Sequence, residues 1–298
     1  MWFRNLHIFR LASGWTYDTE TLARLLHRGR FRACGAADRA ARGWVPPRGE
    51  DTEPVYSVER QQLIALGIEQ KLLPPAVVRQ YAQARLAEIE AAQGRKPGRR
   101  QAREVFELVE AELLPRALVK RGLTYVWIDP VGRWLIVDAA SSGRADEVIE
   151  QLKLSLGELP LALLKTRQAP GSAMTQWLAQ GRGPDHFTID RDCELRAIAD
   201  ERAAVRYVRH SLDSAEVRAH VAAGKAATRL ALTWRDRVSF VLTDQLQVKR
   251  VAFLDVLKED AERQAEGDDQ FAADFALMSG ELSRLLADLV AALGGEGD

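Results

Sequence analysis

Residues 223–257 read AGKAATRLALTWRDRVSFVLTDQLQVKRVAFLDVL. From Thr228 onward, Leu230, Leu232 and Trp234 recur at every second position, the period of a strand with one buried face. Two further strand-like runs follow, each after a polar turn, so the segment predicts a three-stranded meander. Lys225 and Arg229 have the opposite parity and are expected on the other face. Arg235, Arg237, Lys249 and Arg250 add cations at strand ends and turns. A sheet with one greasy face and one cationic face suits a polyanion better than a small substrate. The competing reading is an ordinary exposed face carrying solvated arginines.

The formal net charge of zero hides an asymmetry. Residues 1–250 hold 39 Lys and Arg against 30 Asp and Glu, whereas residues 251–298 hold 3 against 12. That split points to polyanion contact in the body and an acidic segment facing elsewhere. At 47% hydrophobic and 28% charged, the composition is that of a soluble globular protein. No apolar run approaches the ~18 residues that span a bilayer, so a cytoplasmic chain with no membrane partner is expected. Cys34 and Cys193 are far apart and read as unlinked thiols.

Catalytic patterns fail one by one. Gly224-Lys225 suggests a phosphate-binding loop, but Ala219 stands where that loop needs glycine and Ala226 where it needs Ser or Thr. His7, His27, His186, His210 and His220 show no metal-binding spacing. Asp129 and Asp138 flank a predicted hairpin, yet no lysine completes a nuclease-like set, so turn and strand-end roles explain them better. The expectation is no catalytic residue, no metal and no cofactor.

Along the chain, a strand is predicted over 2–11 and a helix over 18–28, capped by Asp18 and ended by Gly29. Pro46 and Pro47 exclude a helix at 43–47, and residues 62–72 read as a strand. A helix starts at Pro74 and Pro75, with Val78, Ala82, Leu86 and Ile89 on one face. The stretch QGRKPGRR at 93–100 reads as a loop bearing Arg95, Lys96, Arg99 and Arg100. A second helix, with Val105, Val109 and Leu113 in register, runs on to Pro115. Together these predict a projecting helical hairpin with a cationic tip, which either meets a polyanion or is simply solvated. A β-hairpin is expected at 123–139, then a helix from Ala145 to Leu156, and shorter strands with one short helix over 160–210. Asp213 and Glu216 suggest a capping box for a helix ending at Gly224, and residues 255–270 read as an acidic helix. The last helix sets Phe271, Phe275, Met278, Leu282, Leu285, Leu289 and Leu293 on one side, as core or as a subunit contact. The fold class is α+β, antiparallel sheets with packed helices, in four parts: 1–73, the hairpin at 74–122, 123–200 and 201–298.

Several pieces fall in one order along the whole chain: WFRNL at 2–6, GWVPP at 43–47, KLLPPAVV at 71–78 and ELLPRAL at 112–118, then WID…VDAAS at 127–141, AGKAATRLALTW at 223–234 and FAADFALMSGELSRLLADLVAALGG at 271–295. In that order they resemble the bacterial recombination-associated family RdgC. The resemblance implies a non-catalytic, nucleoid-associated protein that forms a ring-shaped homodimer. It also implies binding to double-stranded DNA with little sequence preference (single strands more weakly), and restraint of RecA-type recombination by occupancy of the duplex. DNA contacts would include the basic tip, Arg206 and Arg209 in RYVR, and Lys225 and Arg229. Relatives can carry an aromatic residue shortly after ELLPRAL, where subunits close; here the stretch is Val119-Lys120-Arg121-Gly122. Lys120 and Arg121 would then stand near their symmetry mates and oppose closure unless acidic partners lie opposite. Phe275, Met278 and Leu282 are the other candidate contact. The rival reading is a protein-interaction factor that binds the recombinase directly through the acidic C-terminal region.

Overall fold

A computed structural model describes residues 1–49, 52–197, 203–255, 257 and 270–297. The chain opens with β1 (Leu6–Leu11), α1 (Thr19–Leu26), β2 (Ala40–Val45), β3 (Val55–Val58) and β4 (Gln61–Leu72). Helices α2 (Pro75–Gln93) and α3 (Arg99–Leu113) follow, then β5 (Leu118–Asp129), β6 (Trp134–Asp138), α4 (Ser142–Leu156), β7 (Leu161–Leu163) and α5 (Pro170–Gln180). Next come β8 (Phe187–Ala197), β9 (Ala204–Tyr207) and α6 (Ala215–Ala222). The meander β10 (Lys225–Trp234), β11 (Val238–Thr243) and β12 (Val248–Phe253) precedes a terminal helix, α7 (Gln270–Ala292).

The strands join one sheet in the order β2-β4-β5-β6-β1-β12-β11-β10-β8-β9, with β3 on β4 and β7 on β1. Strand β1 links two halves: it pairs with β6 from Leu6 to Arg10, but with β12 only at Leu6–Val248. The first half is covered on both faces. Leu22 and Leu26 of α1 and Val148 and Leu152 of α4 meet Ile64, Val126, Ile128 and Leu135 on one side. On the other, Leu63, Trp127 and Ile136 join a larger core that includes α7. The second half is covered once, where Met174 and Trp177 of α5 and Val217 of α6 join Leu230, Leu232, Trp234 and Phe240. Its other face carries Arg196, Arg206, Arg229 and Arg250, all exposed.

Helix α7 ties the halves together. The Phe3 amide donates to Met278 Sδ at 3.2 Å, Ser283 Oγ to Asp129 at 3.1 Å, and Trp234 Nε1 to Asp288 at 2.8 Å. Phe275, Met278 and Leu282 are fully buried against their own sheet. The expected subunit contact through these three side chains is therefore corrected: they are core, each stabilising the fold by about 1.5–3 kcal/mol. A stripe already enclosed within one chain has no surface left to offer a second copy.

Helices α2 and α3 form the projecting hairpin, whose own small core is Val78, Ala82, Val105 and Val109. The Arg39–Glu110 ion pair ties its base to the sheet side. Gly94, at φ +68°, ends α2 in the left-handed conformation that glycine tolerates best. Arg99 and Arg100, expected in the loop, instead begin α3.

Other differences are local. Strand β5 starts at Leu118 rather than 123, so the division drawn at 122 falls inside a continuous strand. Its first residues show no alternation because both of their faces are exposed. The cap of α6 is Ser214, whose Oγ accepts from the Val217 amide at 3.3 Å; Asp213 pairs instead with Arg218 at 2.6 Å. Most of the acidic segment 255–270 lies outside the described residues. Among those described, no helix is long and apolar enough to cross a membrane.

Candidate nucleic-acid interface

On the open face of the second half, strand register builds a row of charge. Glu194 of β8 stands opposite Arg229 of β10 on one side and Arg206 of β9 on the other. Thr243 of β11 continues the row beyond Arg229. Neighbouring strands lie about 4.8 Å apart, so the two arginines bracket the carboxylate. Arg196, two residues along β8, donates from Nε to Glu194 Oε1 at 3.0 Å, and Thr228 Oγ1 donates to the same oxygen at 3.1 Å. Burial works against ionisation of Glu194, but these hydrogen bonds and the Arg196 and Arg229 charges outweigh it and hold its carboxyl below the usual range. Lys249 and Arg250 complete the face: with Arg206, Arg229 and Glu194 they line a recess of about 140 Å³. Beyond it, a larger cleft of about 670 Å³ runs past Arg196, Arg229 and Lys249 to Ser141 at the start of α4.

Two bulges aim side chains here. At Thr228 the β10–β8 register slips between Ala227 and Arg229. Arg229 stays on the open face, while Lys225 turns to the helix side, where its Nζ donates to His220 Nδ1 at 2.9 Å. The expectation that Lys225 and Arg229 share a face is thus corrected, because parity counts residues and a bulge resets the count. The second slip lies opposite Ser239–Val241 and puts Arg250 at φ +53°. A side chain seldom adopts that conformation, and strain of this kind concentrates at functional sites.

The other expected contacts are dispersed. Arg209 lies just past β9 and is exposed, with its amide donating to Asp192 Oδ1 at 2.8 Å. Arg235 and Arg237 sit on the β10–β11 turn and donate to Asp288 at 3.0 Å and Glu281 at 2.9 Å of α7. That part of the expected cationic surface is neutralised by the fold's own carboxylates, away from the row. Arg95, Lys96, Arg99 and Arg100 are all exposed at the hairpin tip. Helix α3 has no acidic residue in its first turn and carries Arg99 and Arg100 there, where the helix dipole favours an anion. Arg100 pairs with Glu104 at 3.0 Å.

At the start of β5, Lys120 and Arg121 are exposed, and Arg121 pairs with Glu69 of the same chain at 2.7 Å. Among the described residues, 118–125 bond to β4 on one side and to nothing on the other. Leu118, Val119 and Leu123 are exposed along that edge.

The carboxylates considered for nuclease chemistry have structural partners. Asp129 Oδ1 accepts from the Val131 and Gly132 amides at 3.0 and 2.9 Å, and Asp138 Oδ1 from the Arg4 and Asn5 amides at 3.1 and 2.8 Å. Among the described residues no group of three or more His, Cys, Asp or Glu could hold a metal ion. Burial, then the Asp192 charge, pushes the Cys193 thiol up to about 11, so it stays protonated near neutrality. Sequence reasoning missed Glu194 and Arg196. Their signal was the alternation of Asp192, Glu194 and Arg196 against Cys193 and Leu195 in β8.

These observations define a class: an antiparallel α/β protein with an exposed, cation-rich sheet face and a basic helical arm. A family model described as "Putative exonuclease, RdgC" matches residues 1–296. The chain is 52% identical to the recombination-associated protein RdgC of Dechloromonas aromatica, over 99% of this chain and 98% of that one. It is 51% identical to the protein of that name from Janthinobacterium sp., over 99% of both chains. The chain belongs to the RdgC family.

Proposed function

We propose that this protein binds DNA, chiefly duplex and with little sequence preference, and restrains a RecA-type recombinase by occupying it. The observation that carries the reading is the row Arg206–Glu194–Arg229, with Arg196, Lys249 and Arg250 around it and all four of these arginines exposed. Guanidinium groups match phosphate oxygens in pairs, and each phosphate neutralised releases counterions. These cations sit on strands, not on a helix aimed at a major groove, which favours backbone contact over base reading. The hairpin tip supplies a second patch. The mechanism is occupancy and involves no catalytic step.

A ring-shaped dimer fits the same reading. The half-paired β5 edge, with Leu118, Val119 and Leu123 exposed, is suited to addition of a strand from a second copy. Because Arg121 is already paired with Glu69, its charge opposes such closure less than the sequence implies.

Equilibrium binding across a salt series, on linear duplex, single-stranded and circular DNA, tests the proposal. The logarithm of duplex affinity should fall steeply and linearly with log salt, and unrelated duplexes should agree within about tenfold. Salt-independent binding, or one sequence bound about a thousandfold tighter, would overturn it.

A further inference from the structure

The charged row has an anion at its centre, and this is unusual for a phosphate-binding face. Glu194 is in register between Arg206 and Arg229, hydrogen-bonded to Arg196, and lines both the recess and the cleft. Its side chain is 11% exposed, whereas that of Arg196 is 47% exposed. A carboxylate with two oxygens satisfies guanidinium groups in the same planar geometry as two oxygens of a phosphate. We propose that Glu194 is an internal phosphate mimic: it holds Arg196 and stands in register beside Arg229 and Arg206 when DNA is absent, and a backbone phosphate competes with it for these guanidinium groups. This rests on the DNA-binding reading and adds to it a residue that sets affinity by opposing it.

An arginine already engaged by a carboxylate neutralises an incoming phosphate less completely, so fewer of the counterions condensed on the DNA are released. The phosphate must also enter beside a fixed negative charge on a part-buried surface, where screening is weaker than in bulk water. Thr228, the other partner of the carboxylate, lies in the bulge that keeps Arg229 on this face. The strand irregularity and the acid are thus parts of one device.

Removal of the charge gives opposite signs for the two roles open to Glu194. If it competes with phosphate, Glu194→Gln tightens duplex binding at least about threefold and steepens the log–log salt slope by about one. If it serves only as a scaffold for the arginines, the same change weakens binding. Glu194→Asp, which keeps the charge, should keep the wild-type slope, and Glu194→Ala provides a second neutral variant should the amide fold poorly. The measurement is fluorescence anisotropy of a labelled duplex over a salt series, with a thermal melt of each variant. Tighter binding and a steeper slope in a folded neutral variant support the proposal. Equal or weaker binding there overturns it and leaves the DNA-binding reading intact. Wild-type protein that binds no DNA at low salt would overturn both.

Discussion

Arg121 Nε lies 2.7 Å from Glu69 Oε1 across the β4–β5 ladder, with the arginine side chain 81% exposed and the glutamate 3%. The same carboxylate accepts from the Cys34 amide at 2.9 Å, so it fastens the loop before β2 to the start of β5. The Cys34 amide does most to hold the Glu69 carboxyl below the usual range; burial acts against it, and Arg121 assists. A carboxyl depressed in the folded state stabilises the fold above its unfolded value and loses that contribution as pH falls through the folded one. Glu69→Gln should therefore lower Tm at neutral pH, and its gap from wild type should close below about pH 4. Thermal melts of both proteins across pH check this; a gap that stays constant into acid would contradict it.

The β5 edge should carry subunit association. Leu118→Asp with Leu123→Asp places charge on two exposed side chains, so Tm should barely change while the proposed dimer dissociates. Sedimentation reads the outcome. A double variant that remains dimeric would move the interface elsewhere.

Arg250 joins strain to binding. Glycine at φ +53° removes the Cβ penalty, so Arg250→Gly should stabilise the fold by about 1 kcal/mol. It should also weaken DNA binding and make the salt slope shallower by roughly one. Stability and affinity moving the same way would refute the link between the bulge and the contact.

The hairpin tip can be reversed in charge without touching a core. With Arg95, Lys96, Arg99 and Arg100 all changed to glutamate, Tm should hold and DNA affinity should fall, with roughly one unit of slope lost per phosphate contact. Unchanged affinity in the folded variant would return the tip to a solvated turn.

Phe275→Ala tests the reassignment of α7 to the core. A fully buried phenylalanine truncated in this way should cost about 3–5 kcal/mol of unfolding free energy. If stability were unchanged and only the dimer weakened, the subunit-contact reading of this helix would be restored.

The elements were legible in the sequence where one physical signal dominated. Strict alternation marked β10, the prolines at 74 and 75 marked the start of α2, and the inward stripe from Phe275 to Leu289 marked α7. Each is a local pattern with a period of its own, so neighbours along the chain suffice to read it. The basic QGRKPGRR stretch likewise marked an exposed cluster of cations, at the tip of the hairpin.

The arrangement of the charges needed the tertiary structure, because it depends on register between distant strands. Nothing near Glu194 in sequence announces Arg206 and Arg229 as its lateral neighbours; the β8–β9 and β8–β10 pairings put them there. The bulge at Thr228 sends Lys225 to His220, and α7 supplies the carboxylates that neutralise Arg235 and Arg237. A sequence by itself determines which residues are charged and how each segment alternates. Which charges face one another, and which remain for a partner, is decided by long-range pairing, since a shift of one residue in register moves a side chain to the other side of the sheet.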